Sequence, residues 1–554
     1  MKIFKRAGLL LLSLLILLIL YILVAWFTLR STPTIEDVPR GELDNALTLD
    51  QNWQPDVRNQ QSHISFGSRL MPYDWFLHLE LADSTELFRS DATIKRFGYI
   101  PSKPSAVNPD GIPIGFAADN NENGKWLGLT CTACHSGQVH YQGTRIHIDG
   151  APGMMEFQLF ETEFTKALGA LLTQGDKFSR FVSALSPADK KQLRAEIQSR
   201  YDFMLLRTKI NKTEVPYGYG RLDAFGQIFN AVAVEALNMP ENTQVPDGPV
   251  SIPVLWDASH LDIVQWNGTA PNAEPGPIAQ NATTALAVYG QIDLLNDPVG
   301  LGYKSSVQVS NLGTIQSNFY KLSAPKWPED IFGKINNVLA EKGEKIYQEN
   351  CLSCHSIVDA NDPKRKISAV LIPIDVVATD PVMANNFAKA KSNTGPLKGK
   401  KILAGLFGEK MSQDVPTVEL VLHAASGALA HHPLDSIHSI IKEWRSQMTA
   451  ELNMKDQFYK ARPLNGIWAA APYLHNGSVP TVYDLLLPAS QRPATFYVGS
   501  KELDIEKVGF ETGQSEYSSY FDTSLHGNSN IGHEMSSHLS EQERWALLEY
   551  LKTL

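Results

Sequence analysis

The chain has 554 residues, 43% of them hydrophobic and 19% charged, a composition that excludes a disordered or fibrous protein. That length exceeds one ordinary domain, so two or three cores are expected. With 49 Lys and Arg against 59 Asp and Glu, the net charge of −10 carries no basic footprint, and no nucleic-acid partner is expected.

The first predicted element is the N-terminal run. Lys2, Lys5 and Arg6 precede an uncharged stretch from Ala7 to Leu29. About 23 residues make about 34 Å of helix, enough for a hydrocarbon core of about 30 Å. The basic flank predicts that this end stays in the cytoplasm and the remainder is exported. A cleaved signal peptide would show a shorter apolar run followed by a small-residue site. Trp26, Phe27 and Arg30 stand there instead. The expectation is a transmembrane anchor over 1–30, a single pass of a bacterial inner membrane, then a juxtamembrane linker over 31–60 with the soluble part in the periplasm.

The next informative stretch is Cys131-Thr-Ala-Cys134-His135, set among glycine-rich, β-like runs. The pattern recurs as Cys351-Leu-Ser-Cys354-His355, and the two motifs use all four cysteines of the chain. Two disulfides, or one zinc site built from four thiolates, would also use four cysteines. Neither explains a histidine after each pair. Covalent haem attachment does, because two thiols add to the haem vinyl groups and the adjacent histidine ligates iron. The expected cofactors are therefore two covalently attached haem c groups, with His135 and His355 as proximal ligands.

Between the motifs, Ser186, Pro187 and Asp189 read as the start of a helix, with Ser186 as N-cap. The Pro/Asn-rich stretch from Thr269 to Thr284 reads as a long loop, and Ser323–Asp330 as a linker. The boundary placed there separates an N-terminal haem domain, 61–325, from a C-terminal cytochrome c domain, 334–554. The second motif follows a predicted helix with Ile335, Val338, Leu339, Ile346 and Tyr347 at helical spacing. At the end of the chain Ser540 and Glu543 form a capping box ahead of the stripe Leu547, Leu551 and Leu554. One helix entering the motif and one closing the chain resembles the small helical cytochrome c fold.

A wider resemblance rests on the late segments. Leu464 to Leu486, LNGIWAAAPYLHNGSVPTVYDLL, looks like the A-P-Y-x-H-[DN]-G-S segment of the bacterial di-haem cytochrome c peroxidase superfamily. The runs at 72–80, 108–116, 129–138, 148–153, 218–230 and 527–534 resemble its rubber-oxygenase-like branch, and together they cover roughly residues 60–554. The resemblance implies a mainly α fold of two cytochrome c-like haem domains with long loops and minor β. It also implies a redox function.

It further implies that His533, in GNSNIGHE, is the sixth ligand of the second haem. Met535 is the rival, and Met383, Met411, Met448 and Met454 are weaker ones. His475 is expected to be structural or close to a haem propionate, and Ala489 stands about where the peroxidase pattern has its ligand. His140 and His147 follow the first motif too closely to reach the far face of its haem. Trp256 resembles the tryptophan near both haems in the rubber oxygenases, with Trp266 nearby. Glu156, Glu161 and Glu163 are the carboxyl groups close in sequence to the first motif. Three functions follow: an anchored di-haem oxidoreductase of peroxidase type, a haem-dependent oxygenase, or a non-catalytic electron carrier. Expected partners are the membrane, a periplasmic electron donor or acceptor, and a small oxidant such as peroxide or dioxygen.

Overall fold

The computed structural model describes residues 2–29, 42–43, 45–121, 124–272, 276–296, 302–360, 362–404, 407–443 and 457–554. Glycines decide how the first cysteine pair is framed. Phe116–Asn121 pairs antiparallel with Gly124–Leu129, and Ser136–Tyr141 with Thr144–Asp149. Between these hairpins Cys131–Cys134 makes a single helical turn. Gly115, at φ +83°, lies so close to that turn that a Cβ there would collide with the Ala133 backbone. Behind the hairpins, Phe157–Thr173 packs on Lys190–Ile210 around a cluster that includes Phe76, Phe88, Phe97, Phe116 and Phe160.

The second pair sits at the end of a helix. Asn336 caps Asn337–Asn350 by accepting from Leu339 N, and Cys351 follows directly. This helix packs on Glu541–Leu551, which opens with the Ser540–Glu543 capping box. The two cross at Gly343, where a Cβ would strike the carbonyl of Ala546, and the Tyr347 and Tyr550 rings meet beside it at 5.2 Å. The buried residues of the entering helix are Ala340, Gly343 and Tyr347, whereas Val338 is 65% exposed. The apolar stripe read from the sequence was therefore rotated toward Val338, because small residues, not branched ones, make the close crossing.

Three local expectations are corrected. Ser186 is not an N-cap: it is the left-handed C-cap of Gly175–Leu185, and Asp189 caps Lys190–Ile210 through the Lys191 and Gln192 amides. The stretch from Thr269 to Thr284 is not one long loop, since Gly276–Ala287 is a helix with Pro277 in its first turn and Ile278, Ala282, Ala285 and Leu286 buried. The stretch Ser323–Asp330 is tied into the core, with Trp327 against Trp468 at 5.8 Å and the Trp468 indole donating to Pro325 O. One large apolar core runs from Leu49 to Leu551 and takes residues from both sides of that stretch.

The fold class is corrected as well. Helix accounts for 42% and strand for 17%, more strand than a mainly α fold with minor β allows. The strands form one four-stranded sheet, one three-stranded sheet and several two-stranded ribbons, in which the long connections pair their backbone groups. The N-terminal anchor is the second part of that correction. Lys2–Leu29 is a helix, yet among the described residues no helix is long and apolar enough to cross a membrane. The inner-membrane location, the periplasmic placement and the membrane as a partner rested on that span and fall with it.

Candidate haem sites

Each motif histidine is oriented by a backbone carbonyl. Nδ1 of His135 lies 2.9 Å from Pro253 O, and Nδ1 of His355 lies 2.7 Å from Arg462 O. A carbonyl only accepts, so Nδ1 carries the proton in both rings and Nε2 keeps its lone pair for a metal. Burial draws His135 down to about 4 and lowers His355 as well, which holds both imidazoles neutral. The second motif has a further tie, from Tyr347 Oη to His355 O at 2.7 Å.

Trp256 connects the two histidine supports. It is fully buried, and its indole N–H donates to Asn465 O at 2.8 Å. Pro253 and Trp256 are three residues apart, as are Arg462 and Asn465. One path therefore runs from His135 through 253–256, across the indole bond, and through 465–462 to His355. Asp257 braces the junction, accepting from Arg365 Nε at 3.0 Å and Asn465 Nδ2 at 2.8 Å. Trp266 lies apart from this path, with its indole donating to Ser251 O.

The His533 ring faces the His355 ring with 6.1 Å between centres. Metal–nitrogen bonds of about 2 Å on both sides, plus about 1 Å from each nitrogen to its ring centre, require about 6 Å. The residue is half-buried, its covered Nδ1 has no hydrogen-bond partner among the described residues, and desolvation followed by the neighbouring His355 lowers it to about 4. These residues fit a haem iron between two imidazoles. Its backbone is at φ +52°, a left-handed position that the surroundings must hold. Arg492 does so by donating to Asn530 O at 2.6 Å, Gly532 O at 2.8 Å and His533 O at 3.3 Å. His533 N donates to Val377 O, and Gly532 leaves no room for a Cβ against Ala378. From the other side Asn476 and Ser478 hold Ser529 O.

His475 itself is buried, stacks on Tyr459 at 3.9 Å, and is pushed down to about 3 by burial and then by Arg221. Ala489 N donates to Glu534 Oε1 beside the His533 loop. Met535 is exposed, while Met383 and Met411 are buried. Met448 and Met454 lie outside the described residues.

Around the first motif the two neighbouring histidines and two of the three carboxyl groups are committed elsewhere. His147 bonds Asp149 at 3.1 Å, which also pairs with Arg58, and His140 pairs with Glu502. Glu161 is held by Arg207 and by Tyr289 Oη, and Glu163 by Lys166. Glu156 caps its helix at Leu159 N and is raised by burial. Tyr99 is a buried phenol without a partner, raised first by burial and then by Cys134, Glu161 and Glu156.

The four cysteines are free, so the disulfide reading has no support. Among the described residues no three His, Cys, Asp or Glu side chains gather to hold a metal, so the pairs do not meet as a zinc site. Burial pushes the Cys131 and Cys134 thiols up to about 12 and Cys351 up to about 11. A redox dithiol needs a depressed thiol, so that use of C-x-x-C is disfavoured. Sequence reading missed Arg492, Asn465 and the two carbonyl donors, since none belongs to a motif.

Comparison with known proteins places this arrangement. A family model described as RoxA-like, cytochrome c-like matches residues 458–497, which begin just before the Arg462 carbonyl and include His475. The uncharacterized protein y4iJ of Sinorhizobium fredii (strain NBRC 101917 / NGR234) is 31% identical over a 602-residue alignment, covering 97% of this chain and 96% of that protein. The chain belongs to the same family as y4iJ. A second protein of that strain, the uncharacterized y4iM, is 26% identical over 340 residues, covering 56% of this chain and 67% of its own length. This y4iJ-family chain is thus a haem cytochrome with a RoxA-like, cytochrome c-like region, which implies covalently bound haem c.

Proposed function

We propose that the protein is a di-haem c-type cytochrome acting as a peroxidase-like oxidoreductase, with one haem meeting a small oxidant and the other passing electrons. The observation that supports this best is the bridge through Trp256, which links the supports of His135 and His355 by one indole hydrogen bond. Haem, when bound, supplies one-electron chemistry and coordination positions for an exogenous ligand. The chain supplies the rest. Cys131 and Cys134 hold one haem, and Cys351 and Cys354 the other. His355 and His533 are both aimed at the second, an arrangement suited to electron transfer without ligand exchange. Near the first, the two closest histidines are engaged in other bonds, which suits a side left for peroxide or dioxygen. Glu156, buried and raised, is the carboxyl we assign to proton transfer there.

The test is ligand binding and spin state. Electron paramagnetic resonance should show one low-spin centre, and cyanide should bind at one haem only. Two low-spin irons that bind no exogenous ligand, even when half-reduced, would replace the enzyme with an electron carrier.

A further inference from the structure

The helices Ala224–Asn230 and Val382–Lys389 come from opposite sides of the Ser323–Asp330 stretch and meet through three rings. Phe225 and Phe387 lie 4.6 Å apart, Phe225 and Phe229 6.0 Å, and Phe229 and Phe387 5.9 Å. Beside these rings is a hollow of about 230 Å³, walled also by Asp223, Gln244, Asp247 and Asn386. An apolar cavity of about 150 Å³ holds benzene, so this one has room for a ring with a small polar head. Its frame is fixed. Asp223 accepts from Gly226 N and Gly248 N, both at 2.8 Å, and Tyr217 Oη donates to Pro246 O at 2.7 Å. Gly226 lies against Pro246, and Gly248 against Met383, too closely for a Cβ on either. A hollow already held in shape takes little reorganisation to fill.

The polar lining is short of donors. Gln244 Nε2 is spent on Asn242 O at 3.2 Å and Lys391 O at 3.0 Å, and Asn386 Nδ2 donates to Asp247 Oδ1 at 2.6 Å. That leaves both amide oxygens and the Asp247 carboxylate as acceptors. Two acids stand there together: burial raises Asp223 to about 6, and the neighbouring Asp247 adds to the rise. The nearby cations are exposed. His526 lies 3.4 Å from Asp247 Oδ2, and Lys389, also in the lining, forms no ion pair among the described residues. Aromatic faces beside acceptors and acids in excess suit a cation that carries N–H groups.

We propose that this hollow binds a small organic cation, an amidinium, guanidinium or ammonium group on a flat apolar body. The body lies against Phe225, Phe229 and Phe387, and the N–H groups meet Asp247, Gln244 and Asn386. None of these residues belongs to either cysteine motif or supplies a carbonyl to a motif histidine, so the site stands independently of the haem reading.

The experiment is isothermal titration calorimetry of the full-length holoprotein with three flat isosteres of different charge: benzamidinium, benzamide and benzoate. An amidinium offers no lone pair to iron, and an unshifted Soret band checks that the heat does not come from a haem. Benzamidinium should bind with a dissociation constant of about 1 mM or tighter. Benzamide should bind about tenfold more weakly, and benzoate should give no binding heat. Asp247→Asn keeps the shape and removes the charge, so it should weaken benzamidinium about tenfold and leave benzamide unchanged. Lys389→Gln removes the like charge in the lining and should tighten benzamidinium. Failure of benzamidinium to bind the wild type, or equal affinity for all three compounds, would overturn the proposal without recourse to any variant. Unchanged benzamidinium affinity in Asp247→Asn would place the binding elsewhere and overturn the assignment. Weaker binding in Lys389→Gln would overturn the charge argument in the same way.

Discussion

Trp256→Phe is the most informative single change. Phenylalanine keeps an aromatic ring in a site that is fully buried, but it removes the donor to Asn465 O. Asn465 is itself buried, so its carbonyl loses its partner at a cost of about 1–3 kcal/mol. The smaller ring leaves a void of a few tens of Å³ beside Gly466, worth roughly 1 kcal/mol. The sum, roughly 2–4 kcal/mol, should lower the melting temperature by several degrees. The functional readout is separate. After half-reduction of the holoprotein, electron redistribution between the two haems, followed by rapid-mixing spectroscopy, should be slower in Trp256→Phe. A destabilised variant with unchanged redistribution would show that the indole is structural and that electrons take another path. Unchanged stability together with an unchanged rate would refute the bridge altogether.

Four further outcomes are expected. Replacing Cys131 and Cys134 together by alanine should remove one of two haem additions seen by denaturing mass spectrometry, and a wild type carrying one or none would end the di-haem reading. His533→Ala should add a high-spin signal, whereas unchanged spectra would move the sixth ligand to a methionine such as Met535. Gly532→Ala, which drives a Cβ into the Ala378 backbone at φ +73°, should destabilise the His533 loop by more than about 1 kcal/mol and loosen the same low-spin centre. His475 is lowered to about 3 by burial, so the unfolded chain takes up its proton first as pH falls. Its contribution is fully present above about 6.5 and is lost on the way down to about 3, by about 1.4 kcal/mol per pH unit. His475→Asn should flatten acid denaturation over that window, and an unchanged acid limb would show that other groups control it.

Much of the chemistry was legible because it is written in local spacing. C-x-x-C-H states its purpose within five residues, and the Ser540–Glu543 capping box within four. The errors came where a neighbour decides. Ser186 and Asp189 are both good caps, and only the turn that places Ser186 in the left-handed region gives the role to Asp189. The stretch with Pro277 looked like loop because its buried side chains, Ile278, Ala282 and Leu286, are spaced thinly among polar ones. The helical stripe before the second motif was misplaced because a glycine, Gly343, marks the contact face and carries no hydrophobic signal.

By itself the sequence determined which groups can react: two thiol pairs, two motif histidines, and a late histidine whose role resemblance supplied. Only the tertiary structure decided which of them meet. Nothing in the order of residues places Pro253 O on His135 or Arg462 O on His355, and nothing joins Trp256 to Asn465 across 209 residues. Those bonds use backbone carbonyls, which every residue has, so no side-chain pattern announces them. Reactive identity is local and therefore legible, whereas juxtaposition depends on long-range packing and becomes visible only when the chain has folded.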